Sequence, residues 1–149
     1  MSDSGRWDVQ AEDAHGDARV AIGSSGAMGP AYAYRRFTDS DGVESYPDWQ
    51  QRVTTDLFDA RRALLAQGFD PAAFAVPGGD LGQHSTNDPR IPDFTRALIQ
   101  TQFGVPFVRD ARNYPPYTRP GGWAARLEIG RTTTADRLYA WLRAKDPAR

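Results

Sequence analysis

The sequence contains no cysteine among its 149 residues. Disulfide bonds and thiolate zinc sites are therefore excluded, but a chain without cysteine suits the cytosol and the cell exterior equally. No apolar run approaches the roughly 20 residues that span a bilayer, and the polar residues 1–6 are not followed by the apolar core of a secretory signal. The sequence as it stands predicts a cytoplasmic protein, or an extracellular one if the N-terminus is truncated.

A large net charge is missing as well. The 18 basic and 19 acidic side chains leave a formal net charge of −1, so a nucleic-acid partner is not expected. Hydrophobic residues make up 40% and charged residues 25% of the chain, as in ordinary globular proteins. The length and the lack of repeats predict a single domain over residues 1–149.

A short apolar segment, residues 73–76, stops abruptly at Pro77, Gly78, Gly79 and Asp80. This pattern predicts a buried strand followed by a turn, in which the two glycines allow positive φ and close approach of a ligand. Ligands bind at the carboxyl ends of strands in α/β sheets, so Pro77, Gly79 and Asp80 are candidate substrate-binding residues. A plain exit from strand into loop is the alternative interpretation.

Helices and strands alternate around this segment, which predicts an α/β fold. The clearest helix has Ser45 as its N-cap and ends at Gly68, with apolar residues at spacings of four and three. A second helix is predicted over residues 91–103 and a third after Thr134. Because Pro106 has no backbone N–H to donate, its strand is predicted to lie at an edge of the sheet or to be irregular. The predicted strands cover residues 7–11, 73–76, 105–108 and 125–129, and residues 19–22 form either a further short strand or an extended arm.

Two long segments are predicted to lack regular structure, residues 23–45 and residues 109–122. Loops of this length are uncommon in compact domains and are often functional. The second loop centres on a Tyr-Pro-Pro-Tyr run that contains Tyr114 and Tyr117. Packing of the loop by these rings and polyproline II recognition are its two interpretations from the residues alone.

Four segments within residues 7–142 occur in the same order as in a known family. In this respect the chain resembles the later part of a polysaccharide deacetylase domain of the NodB-homology type, similar to carbohydrate esterase family 4. The resemblance implies a partial, incomplete distorted (β/α) barrel. It also implies a divalent metal, usually zinc, and removal of acetyl groups from N-acetylated glycans or cell-wall polysaccharide. The matching segments are residues 52–57 (RVTTDL), 74–83 (FAVPGGDLGQ), 87–92 (NDPRIP) and 126–129 (RLEI) with the helix that follows.

The resemblance also implies a metal held by one aspartate and two histidines, with a second aspartate as base. In the family both aspartates belong to a Thr-Phe-Asp-Asp-Gly type motif on the first strand, and this sequence has no such motif. The domain is therefore predicted to be N-terminally truncated or degenerate and to lack that strand. The histidine positions fall on Glu12 and near Gly16 or Asp17, with His15 displaced. Glu12, His15 and Asp17 are candidate metal ligands; a solvated acidic loop is the alternative.

Two functional hypotheses follow, and neither assigns a catalytic residue. The first is a deacetylase-like hydrolase of the amide C–N bond of N-acetylated sugars, impaired or inactive as the chain stands. The second is a non-catalytic glycan-binding or interaction module with a deacetylase-derived fold, in which Tyr114 and Tyr117 are candidate substrate-binding residues. Four or five strands are too few to close a barrel, which predicts either pairing with another copy or a missing N-terminal segment.

Overall fold

The computed structural model describes residues 8–109, 124–126 and 130–144. Over these residues the protein mixes helices and sheets, which confirms the α/β class; a closed barrel is not seen in this part of the chain. The elements in chain order are β1 (Arg19–Ala21), β2 (Met28–Pro30), β3 (Phe37–Thr38), β4 (Gly42–Val43), α1 (Tyr46–Ala66), β5 (Ala73–Ala75), α2 (Ile91–Phe103), β6 (Val105–Arg109), β7 (Ala124–Arg126) and α3 (Ala135–Ala144), with a 3₁₀ turn at Pro77–Gly79 after β5.

Three parallel strands form the central sheet in the order β5-β6-β7. Phe74 of β5 lies opposite Pro106 of β6, and Phe107 of β6 lies opposite Ala124 of β7. Each crossover between parallel neighbours needs a long connection, and α2 supplies it between β5 and β6.

A fourth segment joins the sheet at a single residue, Ala11, on the other side of β5. The Ala11 N–H donates to the Ala73 carbonyl at 3.2 Å, and the Ala11 carbonyl accepts from the Ala75 N–H at 2.7 Å. Residues 8–10 are irregular, so the strand predicted over residues 7–11 is wrong in this range except at Ala11.

Pro106 lies in the central strand β6, so its predicted edge or irregular position is wrong. The Phe107 carbonyl accepts from the Val76 N–H at 2.9 Å, which shows that the backbone groups of Phe107 face β5. Successive residues of a strand direct these groups to opposite sides, so the nitrogen of Pro106 faces β7. The described pairs with β7 begin one position later, at Phe107 and Ala124. The missing N–H therefore interrupts no described ladder bond.

Helix α1 forms as the sequence predicts, with Ser45 as its N-cap. The Ser45 hydroxyl accepts from the Asp48 N–H at 3.2 Å, and Gly68 follows the helix with φ of 81°. The predicted apolar stripe is buried except for Leu64, which is partly buried at the border of the core. The fully buried members are Trp49, Val53, Leu57 and Ala60.

The core lies between the two long helices and one face of the sheet. Helix α2 has the predicted bounds and buries Ile99, while Phe94 and Leu98 are only partly buried. The ring of Phe74 lies 5.1 Å from that of Phe103, which joins β5 to α2. Each large apolar side chain buried here contributes about 1.5–3 kcal/mol to stability.

Residues 23–45 were predicted to be irregular, and this prediction is wrong. Strands β1 and β2 pair antiparallel, as do β3 and β4. Their strands hold only two or three residues, too few for an alternating pattern to be visible in the sequence. Gly26 and Gly42, with φ of 75° and 71°, supply the positive φ that the two connections need.

Arg52 of α1 holds this region against the helix. Its guanidinium donates to the carbonyl groups of Ala31 at 3.1 Å and Tyr34 at 3.2 Å. It also forms an ion pair at 2.8 Å with Glu44, whose side chain is only 4% exposed. These contacts fix the segment between β2 and α1 on the body of the protein.

The last described elements agree with the predictions for their positions. β7 begins one residue before the predicted final strand and overlaps it at residues 125 and 126, while residues 127–129 are outside the described residues. α3 begins after Thr134, whose hydroxyl accepts from the Arg137 N–H at 3.3 Å. Among the described helices, none is long and apolar enough to cross a membrane.

Candidate functional site

Two polar segments leave the sheet at the same edge. Ala11 and the strands β5, β6 and β7 run parallel, so their carboxyl ends lie together. Residues 12–17, here called the acidic loop, follow Ala11, and residues 76–83, here called the proline turn, follow β5. The topology thus brings six predicted site residues to this edge: Glu12, His15, Asp17, Pro77, Gly79 and Asp80.

The proline turn is fastened to the neighbouring strands through Val76. The Val76 N–H donates to the Phe107 carbonyl of β6, and the Val76 carbonyl accepts from the Gly79 N–H at 2.8 Å. The same carbonyl accepts from Nη2 of Arg126 in β7, also at 2.8 Å. The turn is therefore tied to both other strands of the sheet.

The two glycines of the turn have different roles. Gly79 is buried with φ of 72°, and a Cβ built on it would lie 2.0 Å from Cβ of Arg109 and 2.5 Å from its backbone nitrogen. Its close approach is therefore to β6 rather than to a ligand. Gly78, with φ of 63°, is exposed, and a Cβ there would meet nothing within 4 Å. Because Pro77 is also buried, a ligand would reach the turn at Gly78 and Asp80.

Side chains within the turn hold its far end. Asp80 is half-buried, and one of its carboxylate oxygens accepts from the Gly82 N–H at 2.8 Å. The Gln83 amide donates to the Gly79 carbonyl at 2.8 Å and accepts from the Leu81 N–H. The conformation of the turn is thus fixed before any ligand binds.

The acidic loop is held by Asp56 of α1. One Asp56 oxygen accepts from the His15 N–H at 2.6 Å, and the other accepts from the Tyr32 hydroxyl at 2.7 Å. Gly16 is buried against the Tyr32 ring, where a Cβ would lie 2.0 Å from a ring carbon. Burial raises the pKa of the Tyr32 phenol, and the hydrogen bond to Asp56 raises it further. Tyr32 therefore acts as a donor to Asp56.

Asp13 is a second carboxylate within this loop. It accepts a hydrogen bond from the Asp17 N–H. Burial raises the pKa of Asp13, and the charges of Asp56 and Asp17 act in the same direction, although the hydrogen bond opposes them. Raised carboxyl pKa values are found at proton-transfer sites as well as in structural networks.

Neither Asp13 nor Asp56 is among the site residues predicted from the sequence. Asp56 directly precedes the buried Leu57 in α1 and lies in the RVTTDL segment that carries the family resemblance, but neither feature assigned it a role. Its partners His15 and Tyr32 lie 41 and 24 residues away in the sequence, and no spacing rule relates positions so distant.

The structure does not gather the predicted metal ligands into a group that could hold an ion. Glu12, His15 and Asp17 lie in the acidic loop with exposed side chains. The described residues contain no group of three histidine, cysteine, aspartate or glutamate side chains that could hold an ion. The three residues lie in one loop but are not assembled into a metal site.

An ion cluster borders the site at the start of α2. Asp88 accepts from Arg90 at 2.9 Å and 2.6 Å and from Arg35 at 3.3 Å. Hydrogen bonds from Arg90 lower the pKa of Asp88 to about 2, and the charge of Arg35 acts in the same direction. The Arg90 guanidinium also stacks over the Tyr46 ring, 3.8 Å from its centroid. The cluster joins the segment around Arg35 to the first turns of α1 and α2.

Two other predicted site residues, Tyr114 and Tyr117, lie outside the described residues. They follow β6 in the sequence, and β6 ends at the same edge of the sheet.

No protein-family model and no curated protein sequence matches the chain. A de-N-acetylase structure from Aggregatibacter actinomycetemcomitans resembles it with a TM-score of 0.75 at 17% identity, covering 95% of this chain and 50% of that one. The BpsB deacetylase domain from Bordetella bronchiseptica resembles it with a TM-score of 0.62 at 14% identity, covering 85% and 48%. The protein thus has a polysaccharide deacetylase-like fold and spans about half the length of these structures.

Proposed function

We propose that this protein is a deacetylase-like unit that binds N-acetylated glycan at the carboxyl edge of its sheet. We further propose that the chain by itself is impaired or inactive in hydrolysing the amide C–N bond. The observation that carries the proposal is the position of the acidic loop and the proline turn at one edge, within a fold that resembles a de-N-acetylase with a TM-score of 0.75.

The chemistry of the edge supports glycan binding. Gly78 leaves an open approach to the turn, and the half-buried Asp80 borders it. Exposed side chains of the acidic loop, such as Glu12 and His15, offer acceptors and donors for hydroxyl and acetamide groups. Tyr114 and Tyr117, which follow β6 in the sequence, remain predicted sugar contacts.

The residues of the chain also support the proposed impairment. The sequence has no adjacent pair of aspartates to serve as metal ligand and base. The acidic loop and the other described residues supply no three-ligand group in its place. A divalent metal, zinc by family resemblance, therefore stays a prediction, and the non-catalytic glycan-binding module is the form of the proposal that these residues favour.

We propose that the described strands form part of a distorted (β/α) barrel of the kind that the family resemblance implies. Three parallel strands and the single bridge at Ala11 are described, and closing a barrel of this type needs about eight. We propose that a further segment or a second copy of the chain supplies the remaining strands.

The proposal is tested by titrating the purified chain with N-acetylglucosamine oligomers in a calorimeter and by measuring released acetate. We expect binding that survives a chelator, with no acetate release. Acetate release that depends on added zinc would show that the chain is a working deacetylase and not a non-catalytic binding module. The absence of both binding and acetate release would overturn the proposed function.

A matched pair of variants locates the binding surface. Asp80→Asn removes the charge at the carboxyl end of β5 but keeps an oxygen for the Gly82 N–H. Asp70→Asn removes a charge just before β5, at the opposite end of the strand. We expect weaker glycan binding only for Asp80→Asn; equal affinities would place the glycan elsewhere.

A further inference from the structure

Asp56 joins three separate parts of the protein through one carboxylate. It belongs to α1, and its two oxygens accept hydrogen bonds from the His15 backbone and from the Tyr32 hydroxyl. Neither partner is a cation, and Asp56 forms no ion pair among the described residues. A charged acceptor in two short hydrogen bonds makes stronger contacts than a neutral one would.

The packing around these bonds leaves little space for the loop to move. Tyr32 is 1% exposed, so its hydroxyl depends on Asp56 for a partner. Gly16 lies directly on the Tyr32 ring, and a Cβ at Gly16 would come within 3.0 Å of an Asp56 oxygen. The acidic loop is thus held by a hydrogen bond at His15 and by contact at Gly16.

We propose that Asp56 is a positioning residue for glycan binding: from α1 it fixes the acidic loop at the carboxyl edge of the sheet. Both of its oxygens are used in holding this arrangement, so Asp56 acts through the loop and not on the ligand. The side chains of Glu12, His15 and Asp17 are exposed and stay available to the sugar. This inference rests on the proposed function, because it assigns the loop a role in binding.

A neutral side chain of the same shape tests the role of the charge. Asp56→Asn replaces one acceptor oxygen by an NH₂ group, which faces either the His15 N–H or the Tyr32 hydroxyl. The matched control is Asp59→Asn, which removes a carboxylate one turn further along α1 whose partner is the 81% exposed Arg62. Tyr32→Phe is a second variant that removes only the hydroxyl donor.

The first measurement is hydrogen exchange of the His15 amide by NMR, which needs no ligand. We expect Asp56→Asn to speed this exchange by about tenfold, the effect of replacing a charge-assisted hydrogen bond by a neutral one. Asp59→Asn should leave the exchange unchanged. Unchanged exchange in Asp56→Asn and in Tyr32→Phe would overturn the inference.

The second measurement is affinity for N-acetylglucosamine oligomers, compared with the thermal midpoint of each variant. We expect Asp56→Asn to weaken binding severalfold with a midpoint within a few degrees of the wild type, since only the loop is released. A loss of affinity that only follows a loss of overall stability would reduce Asp56 to a structural residue and overturn the inference. If the wild type binds no oligomer, the proposed function fails, whereas the His15 exchange still decides whether Asp56 anchors the loop.

Discussion

The side chain of Arg126 donates a hydrogen bond of 2.8 Å to the carbonyl of Val76, fifty positions earlier in the sequence. Arg126 belongs to β7, and Val76 is the residue at which β5 gives way to the proline turn. Since β6 lies between these two strands, the contact spans the whole sheet at its carboxyl edge. The position of the turn therefore depends on the far strand of the sheet.

Arg126→Met should destabilise the protein by about 1–2 kcal/mol, because the carbonyl of the buried Val76 loses a charge-assisted hydrogen bond. Denaturant titration of the free energy of unfolding measures the loss. Arg62→Met is the control, since its ion pair with Asp59 is largely exposed and contributes at most about 1 kcal/mol. Equal losses of unfolding free energy in the two variants would show that the contact across the sheet stabilises the protein no more than an exposed ion pair does.

Gly79→Ala should be much more costly than Gly78→Ala, although both glycines have positive φ in the same turn. Each substitution strains the backbone by about 1 kcal/mol. Only at Gly79 does the new methyl group also collide with Arg109, so we expect a total of about 3 kcal/mol or more. The free energies of unfolding of the two variants test this difference, and similar values would contradict the packing of the turn on β6.

Asp88 should make the free energy of unfolding depend on pH in the acidic range. Its pKa is about 2 in the folded protein and 3.8 without its partners, so between these values the unfolded chain binds more protons. The stabilising contribution is therefore complete above about pH 4 and is lost as the pH falls toward 2. Asp88→Asn should cost about 1–3 kcal/mol at pH 7 and should flatten the pH dependence in this window. Unfolding titrations from pH 2 to pH 6 provide the measurement; an unchanged slope would contradict the assignment.

Asp13 should have the opposite effect on the pH dependence of stability, because its carboxylate destabilises the folded state at neutral pH. Its pKa is raised in the folded state, so the penalty on folding is absent below 3.8, grows as the pH rises above 3.8 and is complete once the pH exceeds the raised pKa. Asp13→Asn keeps an oxygen for the Asp17 N–H and removes the charge that faces Asp56. We expect it to stabilise the protein at pH 7 by less than about 1 kcal/mol and to have no such effect at pH 3. Asp70→Asn, at an exposed position, is the control at both pH values.

The parts of the fold that the sequence predicted are those that depend on neighbouring residues. The Ser45 cap and the stripe from Trp49 to Ala60 lie within one helix, so both limits and the buried face of α1 could be predicted. The end of β5 and the turn at Pro77–Gly79 followed from Pro and Gly in the same way. The hairpins before α1 could not be predicted, because strands of two or three residues are too short to show a periodic pattern in the sequence.

The local pattern of this chain was enough to set its class, the limits of α1 and α2, and the edge at which polar loops would leave the sheet. Long-range packing settled the rest: that Pro106 sits in a central strand, that Gly79 approaches Arg109, and that Asp56 holds His15. Capping and periodicity act over a few residues, whereas these contacts join positions up to 41 residues apart. Which partner each group meets depends on how the elements pack, and no spacing in the sequence records it.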